Sequence, residues 1–144
     1  MKKTVFESLK SKLIAMGFLY HTPRSLLSYQ DKRDIIQFGL IHFTFSENMS
    51  NILKDGVLPG KEALYRKEKN LCWFYINYPE DYEKNLSIVK SKGKRSAVDC
   101  CIVIKDFSEE QLNNMRIRKG SDNAVVHIGT LKTSNMKGMM LKDK

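Results

Sequence analysis

The chain has 144 residues, of which 42% are hydrophobic and 28% charged, enough for one domain with a real core and too few for two ordinary ones. Its 25 Lys and Arg outnumber 16 Asp and Glu, and the net charge of +9 points to a polyanionic partner, nucleic acid before others. The composition excludes collagen-like and disordered chains, and no apolar run approaches the roughly 20 residues of a membrane helix.

Met1-Lys2-Lys3 opens like a signal peptide, but Glu7, Lys10 and Lys12 interrupt the apolar segment that should follow. A cytoplasmic protein without a membrane segment is the expectation. Cys72, Cys100 and Cys101 have no metal-ligand spacing with His21, His42 or His127. They read as buried, reduced thiols.

The first predicted helix covers residues 4–16, with Thr4 and Glu7 at capping-box spacing and Phe6, Leu9, Leu13 and Met16 on one face. A second covers about 25–36, and Gly39 closes this part. The period then changes. Leu40–Thr44 predicts a strand, with Ile41 and Phe43 on one face and His42 and Thr44 on the other. Ser46 is the expected N-cap of a helix through Lys54 that buries Met49, Ile52 and Leu53 and stops at Gly56. Residues 61–70 are polar and read as a loop.

Leu71–Tyr78, aromatic and β-branched, is the clearest strand signal in the chain. Pro79 suits the first position of a helix through about Lys90. A basic loop follows, with Lys90, Lys92, Lys94 and Arg95 around Gly93. Residues 97–104 predict a strand and 106–114 a short helix, capped by Ser108 with Gln111. Residues 115–118 and 124–131 are the last two strands. Residues 132–144 are polar and basic and read as a flexible tail. The fold class is therefore α+β, helices leading and a strand-rich part following.

One constellation carries chemistry. His42 can donate and accept, Thr44 offers a hydroxyl, and Asn48 offers an amide beside helix-start N–H groups that favour phosphate. The segment Leu40-Ile41-His42-Phe43-Thr44, with Asn48, Ile52, Leu53, Gly56 and Leu58 after it, resembles the opening strand–helix unit of ADP-ribosyltransferases. The likeness is greatest to the DNA thymidine ADP-ribosyltransferase toxins, then to the NAD-using RNA 2′-phosphotransferases. The specific match covers residues 40–58, and element order extends it to about residue 131.

The resemblance implies a mostly antiparallel split sheet and NAD as the substrate. It implies an ADP-ribosyltransferase-like domain over 40–131, a helical extension over 1–39 packed on it, and a basic tail over 132–144. His42 would bond a ribose hydroxyl, with Thr44, Asn48 and Gly56 shaping the floor. Trp73 falls where many relatives carry a nicotinamide-stacking tyrosine, and Tyr75 is its neighbour on the same strand face; either ring suits a flat pyridinium. In the family a late-strand glutamate steadies the oxocarbenium-like transition state. Here the only acid in residues 118–127 is Asp122, with Asn123 beside it, and Ser-Asp-Asn is also a turn signal. His127 is a secondary candidate, and Arg66, Arg95 and Arg118 are potential phosphate partners. The acceptor would be nucleic acid, docked on Lys92, Lys94 and Arg95, or a protein side chain. The alternatives are a basic binding module that has lost its acid and, third, an RNA 2′-phosphotransferase.

Overall fold

A computed structural model of the chain describes residues 24–59 and 70–141. The helix expected over 4–16, most of the 61–70 loop and Arg66 lie outside the described residues.

The first helix described, α1 (Tyr29–Phe38), begins later than the apolar spacing suggests because Ser28 fixes its start. The Ser28 hydroxyl accepts the Asp31 N–H at 3.0 Å, and the Asp31 carboxylate accepts the Ser28 N–H at 2.9 Å. This reciprocal box satisfies two donors that a helix start otherwise leaves open. Ser25–Leu26 is accordingly not helix but a short strand, β1, paired with β5 (Met115–Ile117). Residues 24–39 thus contribute a strand to the sheet, and Ile35 is wholly buried in the core.

β2 (Leu40–Thr44) matches the alternation read from the sequence. The helix after it, α2 (Ser46–Asp55), corrects one expectation: Ser46 is its first residue, and Phe45 holds the cap position without a side-chain bond. The capping group comes from 53 residues away. Asp99 accepts the Ser46 N–H at 2.7 Å and its hydroxyl at 2.9 Å. A carboxylate at a helix N-terminus complements the helix dipole. It also takes the place where a bound phosphate was expected. Met49 and Ile52 pack on the core, whereas Leu53 is exposed. Gly56 ends α2 at φ +89, and a Cβ there would stand 2.7 Å from the Leu131 carbonyl oxygen. Its requirement is backbone geometry and close approach, which explains the residue without a ligand.

β3 (Leu71–Ile76) leads through a 3-10 turn at Pro79–Asp81 into α3 (Tyr82–Lys90), and a second 3-10 turn covers Gly93–Ala97. β4 (Cys100–Lys105), α4 (Glu109–Asn113), β5 and β6 (Val125–Ile128) follow. The Ser108–Gln111 capping box forms as expected, with bonds of 3.0 and 2.9 Å. The stretch read as a flexible tail instead carries β7 (Asn135–Met140), in register with all six residues of β4. Its polar and glycine content hid it: an edge strand buries little, so alternation is weak.

The strands form one open antiparallel sheet in the order β1-β5-β6-β3-β2-β4-β7. Each face buries its own cluster. Leu40, Phe74, Ile102, Ile104, Met115 and Val125 lie on one face with Ile35. Ile41, Phe43, Tyr75, Cys101 and Ala124 lie on the other, beneath Tyr82, Leu86 and Val89 of α3. Among the described residues no helix is long and apolar enough to cross a membrane.

Candidate functional site

The sheet forks in its middle. β3 pairs with β6 through Leu71–Phe74, then with β2 through Tyr75 and Ile76. β2 and β3 are therefore joined only at Leu40–Ile76 and Ile41–Tyr75 and part beyond. Backbone polar groups along such a parting need other partners. His42 supplies one, its Nδ1 lying 3.0 Å from the Trp73 carbonyl oxygen. Arg95 supplies another, its guanidinium donating to the Phe43 carbonyl at 3.5 Å.

A carbonyl only accepts, so His42 Nδ1 carries the proton in this contact. Burial pushes the imidazole down to about 4, against the raising effect of the Trp73 carbonyl and with help from the Arg95 charge. The ring is neutral at pH 7, and Nε2 is left as an acceptor. The ring stands tilted against that of Phe74, with centroids 5.5 Å apart. An unfolded chain protonates this histidine near 6.5, whereas the fold resists protonation down to about 4. Stability is then full above pH 6.5 and falls as pH drops towards 4, by up to about 1.4 kcal/mol per pH unit for each such group. His127 is also shifted down by burial and adds to the same slope. Denaturant melts across this range should show the loss, and His42→Gln should flatten it. A His42 ring titrating near its ordinary value by NMR contradicts the assignment.

On the opposite face stand Trp73, Tyr75 and Asp122. The Arg118 guanidinium carbon lies 4.7 Å from the Trp73 ring centroid and that of Arg24 5.8 Å away, both within cation–π range. Arg118 also binds Asp122 through two nitrogens, Nε at 3.1 Å and an Nη in closer contact. Asp122 Oδ1 further accepts the Ala124 N–H at 3.0 Å. Burial opposes ionisation of Asp122, but the Arg118 hydrogen bonds, the Ala124 N–H and the charges of Arg118 and Lys92 outweigh it and hold the carboxyl below the usual range. Asp122 is thus both a turn residue and a neighbour of Tyr75. The turn is tied by Asn123 N–H to the Arg118 carbonyl at 3.2 Å, with Asn123 at φ +56. Burial, and then the Asp122 charge, push the Tyr75 hydroxyl up to about 12, against the effect of Arg118.

The remaining candidates separate. Thr44 is buried on the His42 face, and its carbonyl accepts the Asp99 N–H and the Cys100 thiol. Asn48 is exposed in the first turn of α2. Lys92 is exposed just before the Gly93–Ala97 turn, to which Lys94 and Arg95 belong. His127 donates from Nδ1 to the Gly129 carbonyl at 2.9 Å, and its buried Nε2 has no hydrogen-bond partner among the described residues. The three cysteines are buried and free, and burial pushes Cys72 up to about 12 and Cys101 up to about 11. Such thiols are inert as nucleophiles at neutral pH. Among the described residues no group of three metal-ligating side chains exists.

Two residues were not singled out from the sequence. Asp99 acts at long range, which no local pattern reveals. Asn85 is only 5% exposed on the inner face of α3. A polar residue between Tyr82 and Val89 on an apolar stripe is the signal that marks it.

These features define an α+β protein with a forked antiparallel sheet and an aromatic–acidic–basic cluster beside the fork. Comparison with protein-family models, curated proteins and solved structures finds no match to the chain.

Proposed function

We propose that this protein is an NAD-dependent ADP-ribosyltransferase acting on a nucleic-acid or protein acceptor. The observation that carries the reading is the adjacency of β6, β3 and β2. The resemblance singles out these strands, far apart in sequence, for the acid, the aromatic rings and the histidine. β3 passing from β6 to β2 also supports the split sheet that the resemblance implies.

In this reading NAD is the substrate, and the residues fit it in part. Neutral His42 presents Nε2 to a ribose hydroxyl. Trp73 and Tyr75 offer ring faces, and Asp122 offers a half-buried negative charge that counts most when positive charge develops on the ribose. His42 and Thr44 lie across the sheet from these three, so a dinucleotide touching both sets would enter the fork between β2 and β3. The cavity beside Tyr75, about 170 Å3, suits one ring rather than a dinucleotide. Lys92 and Arg95 lie near Asp122 and Phe43 and would meet an anionic acceptor, with salt-sensitive binding.

The second reading, a basic binding module without catalysis, has its own observation. Arg118 neutralises Asp122 and covers Trp73, so the acid and the ring are already engaged.

Calorimetry with NAD, beside nicotinamide release in mixed acceptors, tests the proposal. Wild type should bind NAD, and His42→Ala should weaken it by about 1–3 kcal/mol through loss of a buried hydrogen bond. Absence of NAD binding at millimolar concentration would sink the transferase reading.

A further inference from the structure

The antiparallel registers place Cys72 of β3, His127 of β6 and Met115 of β5 directly opposite one another. Opposed residues share a face, so the three side chains form one row across the sheet. Cys72 and Met115 belong to the core cluster that includes Val57 and Leu131, and His127 stands between them. Exposure is 2% for Cys72, 4% for His127 and 0% for Met115.

His127 is the incomplete member. Its Nδ1 donates to the Gly129 carbonyl, so Nε2 carries a lone pair, and that buried atom has no hydrogen-bond partner among the described residues. Buried polar side-chain atoms are as a rule paired. An Nδ1–H on a backbone carbonyl with Nε2 open is the arrangement that metal-ligating histidines adopt, because the carbonyl fixes the tautomer and raises the basicity of the other nitrogen. Cys72 reaches the same place. Its Sγ lies 3.4 Å from the Gly129 carbonyl oxygen and 3.3 Å from that of Val57. Thiol and imidazole thus meet at one carbonyl oxygen, and two such oxygens beside the sulfur favour a cation bound to it.

The donor set decides which cation. A structural Zn2+ takes four ligands, and with a single thiolate it would leave net positive charge in an apolar core. A soft monovalent ion needs only two or three donors and makes a neutral unit with one thiolate. Thiolate and thioether select such ions, and imidazole suits copper. His127 lies one residue from the end of β6, where Ile128 is exposed and Gly129 half-buried, so the way in from solvent is short.

We propose that Cys72 and His127 bind one soft monovalent metal ion of the Cu(I) class through Sγ and Nε2, with the Met115 sulfur as a weaker third donor. Binding breaks the S–H bond and forms a sulfur–metal bond, and one proton leaves to solvent. The site uses none of Asp122, Trp73 or Tyr75 and holds under either reading of function.

Anaerobic titration with Cu(I), in competition with the chelator bicinchoninate, tests it on reduced wild type, Cys72→Ser and His127→Leu. Wild type should take up one ion per chain, release one proton and melt higher with the ion bound. The Nε2 signal of His127 should move in the NMR spectrum. Cys72→Ser should lose the ion. His127→Leu should bind more weakly by at least the roughly 10–100-fold that loss of a mere outer-shell partner costs. Zn2+ in place of Cu(I) should leave the melting temperature unchanged. The proposal is overturned if wild type takes up no Cu(I), the result expected when a buried water completes Nε2. It is overturned too if Cys72→Ser binds as wild type does, or if Zn2+ raises the melting temperature equally. Should Cys72→Ser fail to fold, an unmoved His127 signal in copper-loaded wild type overturns it, as does unchanged affinity in His127→Leu.

Discussion

A chain ending at Lys132 is expected to lose cooperative unfolding and to aggregate. Truncation there removes β7, which pairs with every residue of β4. β4 reads Cys-Cys-Ile-Val-Ile-Lys and would become a bare, apolar sheet edge, the kind that recruits other chains. The core also loses Met136, and α2 loses its seat on the strand, since Met49 packs against Gly138 so closely that a Cβ there would stand 2.5 Å from its sulfur. Domain stability is about 5–15 kcal/mol in all, so a whole edge strand is a large share of it. Circular dichroism melts of the truncated and full chains settle the matter. A sharp transition within about two degrees of the full chain would mean that residues 133–144 are dispensable.

The second large effect is expected at Asp122. In a transferase its charge is felt mainly as nicotinamide leaves, so Asp122→Ala should keep NAD affinity and lower turnover by roughly 100-fold or more. Asp122→Asn should be nearly as damaging, because it keeps the size and loses the charge. The geometry adds a structural cost: in Asp122→Ala, Arg118 loses its partner and Ala124 N–H its acceptor, whereas Asp122→Asn keeps an Oδ1 acceptor for both and loses the charge. Asp122→Ala should therefore melt lower, by about 1–3 kcal/mol, as expected when one partner of a half-buried polar pair is removed, and Asp122→Asn by less. A variant that melts lower yet releases nicotinamide at the wild-type rate makes Asp122 a turn residue alone. Reduced turnover with NAD still bound assigns it the charge-stabilising role.

Much of the fold was legible locally. Alternation in Leu40–Thr44, the aromatic run of β3 and the Ser108–Gln111 box each report a backbone state through neighbours within four residues. The misreadings share a cause. Ser46 looked like a cap because Ser before an apolar-periodic stretch usually is one, but the cap is Asp99, brought in by β4. β7 looked like a tail because its partner fixes it, not its own pattern. In the site, residue types were legible and their faces were not combined. Period two puts Trp73 and Tyr75 together, and His42 with Thr44, on any strand. That the two pairs lie on opposite faces follows from the Leu40–Ile76 register, a long-range fact. The engagement of Asp122 by Arg118 is the same kind of fact, since the turn geometry closes it.

The central claim is transfer of ADP-ribose, and mass spectrometry of acceptors tests it most directly. The protein is incubated with NAD and a mixture of DNA, RNA and protein, and each fraction is searched for an ADP-ribose adduct while free nicotinamide is measured. The account predicts an adduct on one acceptor class, with nicotinamide released in equal amount and both lost in Asp122→Asn. Intact NAD and unmodified acceptors, with a folded protein in the tube, would contradict it.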